Sequence, residues 1–132
     1  MIRKIGAAIV KDNKLLVVSK KKSPDHYMLP GGKLEDRETD LEALRRELQE
    51  ELQLEVVSST LLGDFETQSM LGTESMFLTV YVVKIKGEPT PDNEIGAYKW
   101  IPIDTQESEY LGTGITKFTL PALRKEITVC PK

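Results

Sequence analysis

Apolar positions along this chain change their period several times, and each change predicts an element. Residues 2 to 10 are rich in Ile, Val and Ala and predict a strand. Lys11 to Lys14 is a polar turn and Leu15 to Ser19 a second apolar strand, so the two predict a hairpin. Lys20 to Asp25 is a basic stretch holding Pro24, expected as a loop. Tyr27-Met28-Leu29 is expected as a short extended piece, because the residue before Pro30 is driven away from helical geometry.

From residue 39 the period becomes helical. Thr39, with Glu42 three positions later, forms a capping-box pattern. Leu41, Leu44, Leu48 and Leu52 recur at helical spacing and are expected to form the buried stripe. At about 100° per residue, Glu47 and Glu51 share one flank of that stripe and Glu50 lies further round. These acids are therefore expected at a cleft beside the core and not within it. Leu54 to Thr67 has mixed strand character with a break near Gly63-Asp64, and Gln68 to Ser75 is expected as a loop. Met76 to Ile85 is almost continuously apolar, which predicts a central strand. Gly87 to Asn93 is a turn-rich connection, and Ile95 to Ile101 is a strand around Trp100. A last helix is expected from about Thr119 to about Ile127, with Pro121 in the first turn where proline is tolerated. The fold class is α/β (α+β): helices covering a mixed sheet, in one domain spanning residues 1–132.

Composition narrows the function. The 132 residues are 39% hydrophobic and 30% charged, enough for a core in one domain. A net charge of −3 argues against binding to duplex nucleic acid or an anionic membrane, and leaves a small polyphosphate compatible. The single cysteine, Cys130, allows no internal disulfide. The start of the chain lacks the apolar run of a signal peptide, and no stretch reaches the length of a membrane span. The expected location is the cytoplasm.

The chemistry concentrates where a glycine-rich turn, Pro30-Gly31-Gly32, leads toward a helix bearing Arg46, Glu47, Glu50 and Glu51. Like charges three and four apart on a helix destabilise it by a few tenths of a kcal/mol per pair. A hard divalent cation with oxygen ligands would offset that repulsion.

The spacing resembles the box of the Nudix hydrolases, MutT-like enzymes with Gly, five residues, Glu, seven residues, then Arg-Glu-apolar-any-Glu-Glu-any-Gly-apolar. Gly32, Glu38, Arg46, Glu47, Leu48, Glu50, Glu51 and Leu54 stand in register with it, and Gln53 replaces the late glycine. The resemblance implies an α/β/α sandwich and a metal-dependent pyrophosphohydrolase. Its substrate would be a nucleoside diphosphate linked to another group, or a nucleoside triphosphate. It also implies a ligand or base among glutamates six residues before a tryptophan, here Glu94 before Trp100.

The chemistry of the box assigns roles. Glu47, Glu50 and Glu51 are the expected ligands of Mg²⁺, with Mn²⁺ as a substitute. Gly31 or Gly32 would let a backbone carbonyl approach the cation. Arg46 would hold one carboxylate by forked hydrogen bonds, with Glu38 orienting the loop or Arg46. The general base is open among Glu47, Glu50, Glu51 and Glu94. His26 and Lys20-Lys21-Lys22 read as surface residues, and Trp100 as core. Two alternatives stand beside the hydrolase. One is a catalytically silent nucleotide-binding or sensor domain, although such domains usually lose box acids. The other is an allylic diphosphate isomerase, disfavoured because the resemblance implies an active-site cysteine and Cys130 is in the tail. The partner expected is a small diphosphate; the oligomeric state stays open, a homodimer included.

Overall fold

The computed structural model describes residues 2–68, 75–106, 110–112 and 114–129. Its strands are β1 (Ile2–Ala8), β2 (Val10–Lys11), β3 (Lys14–Lys20), β4 (Ser23–Met28), β5 (Gly31–Lys33), β6 (Glu55–Gln68), β7 (Ser75–Lys86) and β8 (Ile95–Pro102). Helix α1 is Asp40–Leu52; a wide π-helical segment, Gly114–Thr119, runs into α2, Leu120–Val129. The mixed α+β architecture is the one expected from the sequence.

One sheet has the order β5-β1-β7-β6, with β7 inside it as its apolar run predicts. β1 pairs in parallel with β7 and antiparallel with β5, so the sheet is mixed. In the second sheet, β8 lies along β3 from Lys14 to Lys20, while β2 and β4 pair with its two ends. Asp12 and Asn13 turn the β2–β3 hairpin at φ 53° and 62°, the left-handed geometry that short polar side chains tolerate best after glycine.

Two apolar clusters lie on opposite faces of this framework. Ile5, Leu16 and Val18 pack with Ala43, Leu44, Leu48 and Leu52 of α1. Ala8, Leu15, Val17, Leu78 and Val80 pack with Ile115, Leu120 and Leu123. β3 therefore buries both its faces, which explains its unbroken Leu15-Leu16-Val17-Val18. Trp100 packs against the α1 cluster, as a core residue should.

Four expectations need correction. Ser23–Met28 is a strand in spite of Pro24, because it pairs at residues 23, 27 and 28 and leaves the proline outside that register. β6 is one strand of 14 residues, and register shifts at Val56/Ser58 and Leu61/Gly63 absorb what read as a break. Leu41 is 39% exposed because it sits in the first turn of α1, at the edge of the core, while Ala43 is fully buried. Glu51 is 4% exposed: at about 100° per residue it lies about 20° from Leu44, inside the apolar stripe. The loop expected at Gln68 to Ser75 falls mostly outside the described residues, as does Cys130.

Both ends of α1 are fixed by local chemistry. The Thr39 hydroxyl accepts from the Glu42 amide (3.2 Å), and the Glu42 carboxylate accepts from the Thr39 amide (2.9 Å). Such caps contribute about 1 kcal/mol. At the other end Gln53 adopts φ 56°, ψ 40°, and the Leu54 amide donates back to the Leu48 carbonyl over 3.2 Å. A helix usually closes in this way on glycine.

Candidate active site

The 87–94 loop caps the C-terminal end of α1. The Asn93 side chain donates to the Glu50 carbonyl (2.7 Å), the Asp92 amide to the Glu51 carbonyl (2.9 Å) and the Thr90 amide to the Leu52 carbonyl (2.9 Å). These carbonyls have no partner within the helix, so the loop satisfies polar groups that would otherwise be buried at a cost. The same docking brings Glu94 within the field of Glu51.

The glycine pair of β5 lets two carboxylates come close. Gly31 has φ 140°, and a Cβ there would lie 2.1 Å from the Ile5 carbonyl oxygen, so only glycine fits. Its amide donates to Oε1 of Glu51 over 3.0 Å. At Gly32 a Cβ would meet Oε2 of Glu47 at 2.7 Å, so the missing side chain is the space that this carboxylate occupies.

Arg46 ties the acids together. It grips Glu38 with two parallel bonds, Nε to Oε2 at 2.7 Å and Nη2 to Oε1 at 2.9 Å. Nη1 donates to Glu47 Oε1 at 2.7 Å and to Glu50 Oε1 at 3.3 Å, and Nη2 reaches the Lys33 carbonyl at 3.2 Å. Arg46 holds the Glu38 carboxyl far below its ordinary range, at about 2, and the Glu35 amide adds to the effect. Glu38 in turn raises the pKa of Arg46. This fork is a geometry that lysine could not supply.

Glu51 is the opposite case. Burial pushes its carboxyl well above the ordinary range; Glu47 and Glu94 push the same way, and the Gly31 amide opposes them. A buried carboxyl facing two other acids is the electrostatic condition that a bound cation relieves. The donor set is hard oxygen, which fits Mg²⁺ or Mn²⁺. Among the described residues no three acids converge as a ready ligand set. Glu47 and Glu51 are together, whereas the Glu50 side chain is half exposed and turned to Arg46.

Beside these acids opens a cavity of 460 Å³. Glu47, Glu94, Gly31 and Gly32 line one part. Met28, Leu29, Met76, Leu78 and Ile115 give it an apolar wall, and Lys4, Lys20, Lys22 and Lys33 add positive charge. His26 lines it too, and its Nδ1 is buried with no hydrogen-bond partner among the described residues. His26 was expected at the surface and lines the cavity instead. The 20–22 lysines were expected as a solvated loop able to draw phosphates toward the cleft; Lys21 and Lys22 are exposed, while Lys20 and Lys22 line the cavity. Sequence reasoning passed over Lys4. The one available signal was a lysine between the apolar residues of β1.

A family model described as the NUDIX domain matches residues 2–118. The crystal structure of a MutT Nudix hydrolase from Burkholderia pseudomallei superposes with a TM-score of 0.80 at 28% identity, covering 92% of this chain and 97% of that one. A MutT protein from Methanosarcina mazei shares the fold, with a TM-score of 0.81 at 19% identity over 95% of this chain and 94% of that one. A curated protein of Proteus vulgaris, named 8-oxo-dGTP diphosphatase, is 64% identical over 36 residues, which are 27% of this chain and 32% of that protein. The matched stretch thus spans about a third of that relative.

Proposed function

This chain belongs to the Nudix family, and on that premise we propose that it is a metal-dependent pyrophosphohydrolase acting on nucleoside triphosphates or related nucleoside diphosphate derivatives. The observation that carries the reading is the buried Glu51 beside Glu47, at a cavity that combines acids, lysines and an apolar wall. The volume of 460 Å³ suits a ligand of nucleotide size, since small-molecule sites occupy roughly 300–1,000 Å³.

A divalent cation held by Glu47 and Glu51, with Glu50 joining them by leaving Arg46, would supply charge neutralisation on the phosphate oxygens. The chain's own groups do the rest. Arg46 fixes the Glu47 carboxylate through Nη1, so its position does not depend on the ligand. Lys20, Lys22 and Lys33 attract the polyphosphate. The apolar wall of Met28, Met76 and Leu78 receives the base. A water attacks phosphorus, and its proton passes to one of Glu47, Glu51 or Glu94, the carboxylates that act on one another electrostatically.

The Proteus vulgaris relative makes 8-oxo-dGTP and dGTP the first substrates to assay. Hydrolysis should require Mg²⁺ or Mn²⁺ and release a nucleoside monophosphate with inorganic diphosphate. Full turnover in excess chelator would overturn the metal requirement. Nucleotide binding without turnover, with either cation, would instead identify a silent binding domain.

A further inference from the structure

Lys4 lines the cavity that holds both the acidic Glu47 and Glu94 and the apolar Met76 and Leu78. Strand register pairs it with Lys33 on β5 and with Leu78 on β7. Register partners in a sheet present their side chains on one face. Lys33, Lys4 and Leu78 therefore form a row across three strands. In β5 the neighbouring Gly32 pairs with Ile5 and turns to the other face, where the Glu47 carboxylate lies, and the cavity reaches both faces around this edge strand. At the far end of the row β7 carries Leu78 and Met76, which line the apolar wall.

Lys4 is half-buried and lines the cavity. Among the described residues its ammonium has neither a hydrogen bond nor an ion pair. Burial lowers its pKa, Lys20 and Lys33 lower it further, and Glu47 and Glu51 act in the opposite sense. A half-buried cation crowded by two others is stabilised by an anion placed among them. Its point charge and three donors suit a phosphate oxygen.

Given the hydrolase reading above, we propose that Lys4 binds the phosphate that remains on the nucleoside, between the hydrolytic acids and the wall that takes the base. A nucleotide with its base against Leu78 and Met76 and its polyphosphate toward Glu47 passes Lys4 with that phosphate. Lys20 and Lys22 come from β3 and the turn after it, in the other sheet, and serve the phosphates that leave.

The test compares wild type with Lys4→Met and Lys4→Arg. Calorimetric titration with Mg²⁺ present measures the affinity for dGMP and, separately, for inorganic diphosphate. Steady-state hydrolysis of dGTP gives kcat and KM. Lys4→Met should weaken dGMP at least about tenfold, the scale of one lost charged hydrogen bond. KM should rise in parallel, diphosphate affinity should stay within about threefold, and Lys4→Arg should recover most of the loss. Unchanged dGMP affinity in a folded Lys4→Met protein would overturn the assignment. Equal loss of both ligands would also overturn it, because a general change of field or fold moves both. If Lys4→Met does not fold, Lys4→Gln carries the same measurement. A wild-type protein that neither binds nor hydrolyses nucleotides would mean that the hydrolase reading itself has failed.

Discussion

The backbone amide of Gly31 donates to Oε1 of Glu51 over 3.0 Å and ties the glycine turn to a helix residue 20 positions away. The bond gives the buried Glu51 carboxyl a polar partner on β5, where the helix period alone would leave it among apolar residues. It also opposes the effect of burial on that carboxyl, since a donor to the ionised form favours it.

Glu51→Gln should separate the site from the fold. Gln keeps an oxygen for the Gly31 amide and cannot take up the negative charge that burial, Glu47 and Glu94 disfavour in the metal-free protein. The metal-free variant should melt at the same temperature as wild type or higher, because that disfavoured charge is gone. Its kcat/KM should fall roughly 100-fold or more, since a hard-cation site depends on ligand charge. Melting well below wild type in chelator would show that Glu51 is structural.

The two adjacent glycines should respond differently to alanine. At Gly31 the new Cβ would lie 2.1 Å from the Ile5 carbonyl oxygen, with φ at 140°, and neither atom belongs to a flexible side chain. Gly31→Ala should lose several kcal/mol, about 3 or more, or fail to fold. At Gly32 the clash is with the end of the Glu47 side chain, at 2.7 Å, which can swing away. Gly32→Ala should fold with a loss of roughly 1 kcal/mol and yet lose most of its activity. Denaturant melts beside activity assays decide it, and equal stability of the two variants would contradict the geometry.

Tyr81 of β7 donates from its hydroxyl to Asp40 at the start of α1 over 2.6 Å. The bond to Asp40 is the main reason that the tyrosine pKa is raised from 10.0 to about 12, with burial second. A raised native pKa means that the folded protein holds this proton more tightly. The contribution is complete below pH 10 and is lost as pH rises through about 12. Tyr81→Phe should cost about 1–2 kcal/mol at neutral pH. The gap to wild type should close between pH 10 and pH 12, and a gap that persists at pH 12 would rule out this bond as its cause.

Gln53 sits at positive φ, 56°, and its side chain donates to Asp92 over 3.0 Å. Gln53→Gly relieves the left-handed backbone, worth about 1 kcal/mol, but loses this bond and gains unfolded-state entropy. The sum should lie within about 1 kcal/mol of zero, with activity nearly unchanged. Gln53→Ala loses the same bond without the relief but also without glycine's unfolded-state entropy, so it should be less stable than Gln53→Gly by up to roughly 0.6 kcal/mol. Thermal melts of the three proteins check the order, and an alanine variant more stable than the glycine variant would contradict it.

Sequence alone determined what depends on neighbours along the chain. The Thr39–Glu42 capping box, the helical run of Leu44, Leu48 and Leu52, and the central β7 rest on short-range preference and period. The spacing of Gly32, Glu38, Arg46, Glu47, Glu50 and Glu51 was legible for the same reason. Tertiary structure decided what depends on which faces meet. The helix period already puts Glu51 beside Leu44; tertiary structure decided that the Gly31 amide and Glu94, from elements no helical wheel contains, meet it there. Glu94 reaches the site only because its loop satisfies the free carbonyls at the end of α1. Lys4, which reads as a polar interruption of a strand, enters the cavity through a cross-strand register between residues more than 70 positions apart. Local periodicity tells which side of an element a residue occupies; only the packed sheets and helices fix what stands on the other side.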